Sequence, residues 1–110
     1  MKRELDRVTS EIEHCPIYQA MTVFQGKWNV WVLFELGRNE NLRFNELKRK
    51  IPGVSNTMLT ATLKGLEEQG LVRRVQFNEI PPHVEYSATE KARALRRVFD
   101  EMARWSEAYP

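Results

Sequence analysis

Two apolar stripes separated by a helix breaker constrain this chain more than any other feature. In LRFNELKRKIPGVSNTMLTATLKGLEEQGLVRRV, Phe44, Leu47 and Ile51 recur at three- and four-residue spacing, and so do Leu59, Leu63 and Leu66. That spacing puts each set on one face of an α-helix. Pro52-Gly53 stands between the sets. Proline has no N–H for an internal helical turn and its ring clashes with the preceding turn, so the two helices cannot fuse. Ser55 suits the N-cap of the second helix, because its hydroxyl accepts from an unpaired first-turn N–H. Gly70 suits its end, where a left-handed residue closes the last turn. Helix, tight turn, helix is the layout of a helix-turn-helix, expected here over about residues 43–70.

After Gly70 the period changes. LVRRVQF alternates and is rich in β-branched residues, so it reads as a strand. NEIPP is a turn, and HVEYSAT is the returning strand, with Val84 and Tyr86 on one side. A hairpin over about 71–88, directly after the second helix, has the position of a wing. Thr89 then caps one long helix over about 89–109, with Ala92, Leu95, Phe99, Met102 and Trp105 on one stripe. Upstream, Leu5, Val8 and Ile12 predict a short amphipathic helix over 3–13. Pro16 starts the next helix, with Ile17, Ala20, Met21 and Phe24 on one face and Gly26 as its stop. The segment WNVWVLFEL fits a buried helix or a buried strand equally well by periodicity. Gly37 to Asn41 reads as a polar turn.

Composition narrows the function classes. A chain of 110 residues with 42% hydrophobic content suits one folded domain over 1–110. The longest apolar run, Trp28 to Leu36, contains Asn29 and Glu35 and is far short of the roughly 18–20 residues of a membrane span. The first residues lack the apolar block of a secretion signal, so the expected location is cytoplasmic, away from membranes. Cys15 is the one cysteine and the two histidines lie far apart, so neither an internal disulfide nor a metal site is expected. No Ser-His-Asp set, paired carboxylate site or phosphate loop stands in the sequence, so the expectation is no enzyme and no cofactor.

Charge is unevenly spread. The net charge is +2, yet Arg38 to Arg74 holds eight basic residues against four acidic ones, a balance of +4. A basic centre between near-neutral ends suits a protein that meets phosphate with its middle. The plain alternative is a solvated mixed-charge surface.

The candidate site follows from the leucine stripe. With Leu59, Leu63 and Leu66 turned inward, the other face of the second helix carries Asn56, Thr57, Thr60, Ala61 and Lys64. The DNA major groove, about 12 Å wide, admits one helix and displays distinct base edges. Asn both donates and accepts, as adenine recognition requires, and Thr can bond either way or touch a thymine methyl. Lys64 is placed for a phosphate, and Ser55 sits where helix N–H groups favour a phosphate oxygen. Arg73, Arg74 and His83 are expected to flank the hairpin tip and meet the backbone or minor groove, with alternation turning only one of the two arginines to DNA. Arg43, Lys48, Arg49 and Lys50 are further candidates for backbone contacts.

At these residues the chain resembles the HxlR-type winged helix-turn-helix transcriptional regulators, relatives of the MarR group. The matching pieces are CPIYQAM, GKWNVWVLFEL, LRFNELKRKIPGVSNTMLTATLKGLEEQGLV and PPHVEYSATEKARAL, in family order from Cys15 to Trp105. The resemblance selects helix for WNVWVLFEL. It implies a mainly α fold with a small β-hairpin, a winged helix-turn-helix with extra N- and C-terminal dimerisation helices. It implies a homodimer on double-stranded DNA at an inverted-repeat operator, with an oxidant or a small molecule as the candidate signal. Family members often carry Arg or Lys where His83 stands, and Pro and Gly where Glu90 and Ala92 stand. Some relatives sense thiol oxidation at a cysteine placed as Cys15 is, before the same proline, and such chemistry needs a thiolate. The plain reading of Cys15 is a small apolar residue at the dimer interface. The aromatic residues Phe24, Trp28, Trp31, Phe34, Phe99 and Trp105 are expected in core and dimer packing, with an effector pocket as the other reading. The alternative to specific DNA binding is a winged-helix protein–protein interaction module.

Overall fold

The computed structural model describes residues 3, 4, 7, 11 and 13–110. Leu5, Val8 and Ile12, which carry the expected first helix, lie outside the described residues. From Pro16 the order is α1 (Pro16–Met21), a 3-10 turn (Thr22–Phe24), α2 (Asn29–Arg38), β1 (Leu42–Arg43), α3 (Phe44–Lys50), α4 (Asn56–Glu68), β2 (Val72–Phe77), β3 (His83–Ala88), α5 (Glu90–Arg93) and α6 (Arg96–Ala108). WNVWVLFEL is therefore helical over most of its length.

The core is the meeting place of the two leucine stripes. Leu47 and Ile51 of the first helix region and Leu59, Leu63 and Leu66 of α4 are buried, with Val32, Leu33 and Leu36 of α2 beside them. Each fully buried leucine contributes roughly 1.5–3 kcal/mol from apolar burial. Helix α2 packs against α3, α4 and β3, so it is the central strut on which the helix-turn-helix is mounted.

Helix α4 is closed at both ends by its own sequence. The Met58 N–H donates to Ser55 Oγ at 3.1 Å. At the other end Gly70 has φ +74°, its N–H donates to the Glu67 carbonyl at 3.0 Å, and the Leu71 N–H donates to the Leu66 carbonyl at 2.9 Å. This paired closure is the Schellman arrangement, with Leu66 and Leu71 both buried beneath it. Gly53, at φ +86°, turns the chain between α3 and α4.

The sheet is antiparallel with strand order β1-β3-β2. Leu42 lies opposite Tyr86, and Val72 to Phe77 run opposite Ala88 to His83. The expected two-stranded hairpin thus gains a short third strand just before α3. Thr89 joins hairpin and helix. Its Oγ accepts from the Ala92 N–H at 3.3 Å and donates to the Gly70 carbonyl at 2.7 Å, while Lys91 Nζ reaches the Gln69 carbonyl at 3.0 Å. The end of α4 is therefore clamped to the base of the wing.

Two expectations are corrected here. The stretch from Gly37 is not all turn: α2 runs through Gly37 to Arg38, and its end is held by the Asn39 side-chain amide on the Glu35 carbonyl at 2.7 Å. Nor does Thr89 cap one long helix. The Leu95 N–H bonds to the Ala92 carbonyl at 3.0 Å, a tightened turn that separates α5 from α6. Leu95 and Phe99 pack on the core beyond that break, and the Phe99 ring meets Phe34 and Phe24 edge-on.

Candidate nucleic-acid interface

The burial of Leu59, Leu63 and Leu66 decides what α4 offers to solvent. Asn56, Thr57, Thr60, Ala61 and Lys64 are all exposed, and so is Ser55 at the cap. Thr57, Ala61 and Lys64 follow one another at turn spacing along the side away from the core. Thr62 is not part of this face, since its hydroxyl donates back to the Met58 carbonyl at 2.8 Å. Sequence reasoning missed Met58, which is 46% exposed on the flank of the same surface. Its only signal was its place off the leucine stripe.

The wing differs from expectation. Arg73 lies opposite Ser87 and Arg74 opposite Tyr86, so both stand on the body of the hairpin. Arg74 is three residues, roughly 10 Å, from the closing pair Phe77 and His83. Both arginines are exposed, although they point to opposite faces, because β2 is an edge strand of a small sheet. His83 does stand beside the tip, but its ring is only 15% exposed. It stacks on Phe77 at 4.7 Å and 11° between planes, and its Nε2 lies 2.9 Å from Glu85 Oε2. An ionised carboxylate only accepts, so this nitrogen carries a proton toward Glu85. Glu79 lies 3.9 Å from the other ring nitrogen. The tip itself, residues 78–82, is exposed and holds Glu79, Ile80 and two prolines with no basic residue.

Arg43, Arg49 and His83 are brought together. They line one cleft between α3 and β3, with Asn45, Glu46 and Tyr86. Arg43 is the N-cap of α3; its backbone N–H donates to the Glu46 carboxylate at 2.9 Å, and it lies opposite Glu85 in the sheet. Arg49 and Lys50 are exposed and Lys48 is half-buried. All three stand in the last turn of α3, where cations oppose the negative helix end. Cys15 is half-buried just before Pro16, away from α4 in sequence, and its carbonyl accepts from the Gln19 N–H at 2.9 Å. Among the described residues no three His, Cys, Asp or Glu side chains converge as a metal site, and no helix is long and apolar enough to cross a membrane.

Two helices joined by a Pro-Gly turn, a third helix behind them and an antiparallel hairpin following at once define a winged helix-turn-helix. The chain belongs to the HxlR-like helix-turn-helix family, which it matches over residues 23–110. It is 36% identical over 96 residues to the uncharacterised HTH-type transcriptional regulator YdzF of Bacillus subtilis, covering 87% of this chain and 88% of that protein. A transcriptional regulator of the MarR family from Porphyromonas gingivalis has the same fold with a TM-score of 0.80 at 38% identity, over 89% of this chain and 95% of the other. The redox regulator HypR in its oxidised form aligns with a TM-score of 0.76 at 35% identity, over 87% and 98% of the two chains. This chain is a transcriptional regulator of the helix-turn-helix type.

Proposed function

We propose that the chain binds double-stranded DNA as a homodimer and regulates transcription by reading an inverted repeat with α4. The observation that carries this is the exposed polar side of α4 set against its buried leucines. Asn56 offers the donor and acceptor that adenine recognition uses, and Thr57 and Thr60 offer hydroxyls and methyls for mixed base edges. Met58 supplies apolar contact for a thymine methyl. Ser55 Oγ accepts from the helix, and its hydroxyl hydrogen remains for a phosphate. Lys64 meets the backbone. On the wing, one of Arg73 and Arg74, which point to opposite faces of the strand, meets the phosphates, and Ile80 rather than a cation leads at the tip. Glu79 and Glu85 offset His83, so its share of the backbone contact is small. Arg43, Lys48 and Arg49 complete the basic surround.

The test is a pool of random duplexes followed by titration at several salt concentrations. Asn56→Ala is expected to relax the preference at one base pair by about 1–3 kcal/mol. Lys64→Ala is expected to weaken all sequences alike and to lower the salt slope by about one. If the double variant leaves affinity and salt slope untouched, the surface serves protein partners instead and the DNA reading fails.

A second reading concerns Cys15, and the similarity to a redox regulator favours it. As the chain's one cysteine, it can pair only with its copy in a second subunit or with a small thiol. Diamide treatment is expected to give a covalent dimer or mixed disulfide, lost in Cys15→Ser, together with altered operator affinity. An oxidised sample that binds DNA as the reduced one does would remove the sensing role.

A further inference from the structure

The tip of the wing carries no positive charge, yet it is where the hairpin reaches furthest from its base. Ile80 stands there fully exposed, at 101%, between Glu79 and the Pro81-Pro82 pair. A lone exposed aliphatic side chain is ordinary on a protein surface. The mounting of this one is not. His83 stacks on Phe77 at 4.7 Å where the ladder closes, and its Nε2 lies 2.9 Å from Glu85 Oε2. The Glu79 carboxylate lies back against the same ring, 3.9 Å from Nδ1, which leaves Ile80 foremost. The two prolines that follow have φ already fixed, so less backbone freedom is lost when the tip is buried against a partner. At the base, Thr89 Oγ donates to the Gly70 carbonyl at 2.7 Å, which mounts the wing and α4 as one piece.

The reach of the wing suits a DNA groove. From the Val72–Ala88 pair to the Phe77–His83 pair the hairpin runs five residue steps, about 17 Å. One turn of B-DNA measures about 34–36 Å, so a minor groove lies about half that distance from the major groove that would hold α4. Proteins that kink DNA push branched aliphatic or proline side chains between base pairs from the minor-groove side. A cation at the tip would instead hold it at the phosphates.

We propose that Ile80 is a wedge: with α4 in the major groove, the wing tip inserts Ile80 between two stacked base pairs of the adjoining minor groove and kinks the operator. This rests on the DNA-binding reading of α4. Steps that unstack easily, TA and CA/TG, are the favoured sites. Sequence preference then extends to a position where the protein makes no hydrogen bond to a base.

The experiment uses the full chain and the duplex returned by the random-pool selection. The duplex carries donor and acceptor dyes at its ends or, in a parallel set, 2-aminopurine walked through the A·T positions beside each half-site. Wild-type protein is expected to bend the duplex by about 20° or more and to brighten 2-aminopurine at one pyrimidine–purine step. Ile80→Ala is expected to lose the bend, the signal and about tenfold in affinity, with the salt slope unchanged because no phosphate contact is removed. Ile80→Lys is expected to raise the salt slope by about one and still leave the duplex straight. Both variants are expected to melt as the wild type does, since Ile80 is fully exposed. Tight, sequence-specific binding of wild-type protein to a straight duplex overturns the wedge and leaves the α4 reading intact. An Ile80→Ala protein with wild-type affinity and bend also overturns it, and frees the tip for a protein partner. Absence of any sequence preference in the wild type is the separate failure of the α4 reading, and it takes the wedge with it.

Discussion

Replacing Trp105 by glutamate is expected to turn the protein into a monomer and to cut its affinity for an inverted repeat by about a hundredfold or more. Val98, Met102 and Trp105 recur along α6 at four- and three-residue spacing, with Tyr109 just past its end, and all four are exposed, Trp105 to 67%. That spacing forms the narrow seam by which two helices pack together. On α1, Ile17 and Met21 are exposed as well, so the two helices the family resemblance assigns to dimerisation both carry uncovered apolar side chains. A carboxylate in the seam has to be buried against its own copy, which costs far more than the lost tryptophan contact alone. The DNA effect follows from linkage. Two joined reading helices make the second half-site contact intramolecular, a gain of about 10²–10⁴ that a monomer forfeits. The check is sedimentation equilibrium beside operator titration. A Trp105→Glu protein that stays dimeric places the interface elsewhere. Because Trp105 is outside the monomer core, the variant is expected to keep its secondary structure and its melting cooperativity.

The second large effect is on stability. Leu63→Ala is expected to cost about 2–5 kcal/mol, read as a lower urea midpoint. Leu63 is 2% exposed in the middle of the α4 stripe, between Leu59 and Leu66, which are fully buried. Against a total of roughly 5–15 kcal/mol for a domain, a loss of that size removes a large share of the margin. It also loosens the one face that fixes the rotation of α4, so operator binding is expected to weaken even where the protein stays folded. A cost under about 1 kcal/mol would mean that α4 is not anchored by this stripe. Ala61, one turn from Thr57 on the outer face, is the contrasting site: it is exposed and belongs to no packed cluster.

Much of the helix-turn-helix could be read directly because its signals are local. Ser55 caps α4, Gly70 closes it, Pro52-Gly53 separates it from α3, and the leucine stripe orients it. Each device works within a few residues of chain, and hydrogen bonds of that range depend little on the rest of the fold. The candidate face of α4 was legible for the same reason, as the complement of its buried side. The wing was legible as a hairpin but not as a charge pattern. Where Arg73 and Arg74 sit relative to the tip depends on strand register, and register depends on where the turn closes. His83 looked like a contact from its place beside the turn. Phe77, Glu79 and Glu85 reach it only once the hairpin has paired.

The sequence by itself determined α3 and α4, the break between them, the caps of α4, the strand pair and the side of α4 that faces water, since each rests on periodicity or on bonds between near neighbours; it left WNVWVLFEL open between helix and strand and did not show the break between α5 and α6. Only the tertiary structure decided that Leu42 and Arg43 add a third strand to the hairpin, that Thr89 ties the wing to the end of α4, and that Arg38, Arg93 and Arg96 share a groove. Each of these meetings joins segments well separated in the chain, 19 residues apart at Thr89 and Gly70 and further in the other two. No local periodicity encodes such a meeting, because it follows from how already formed helices bury their apolar faces against one another.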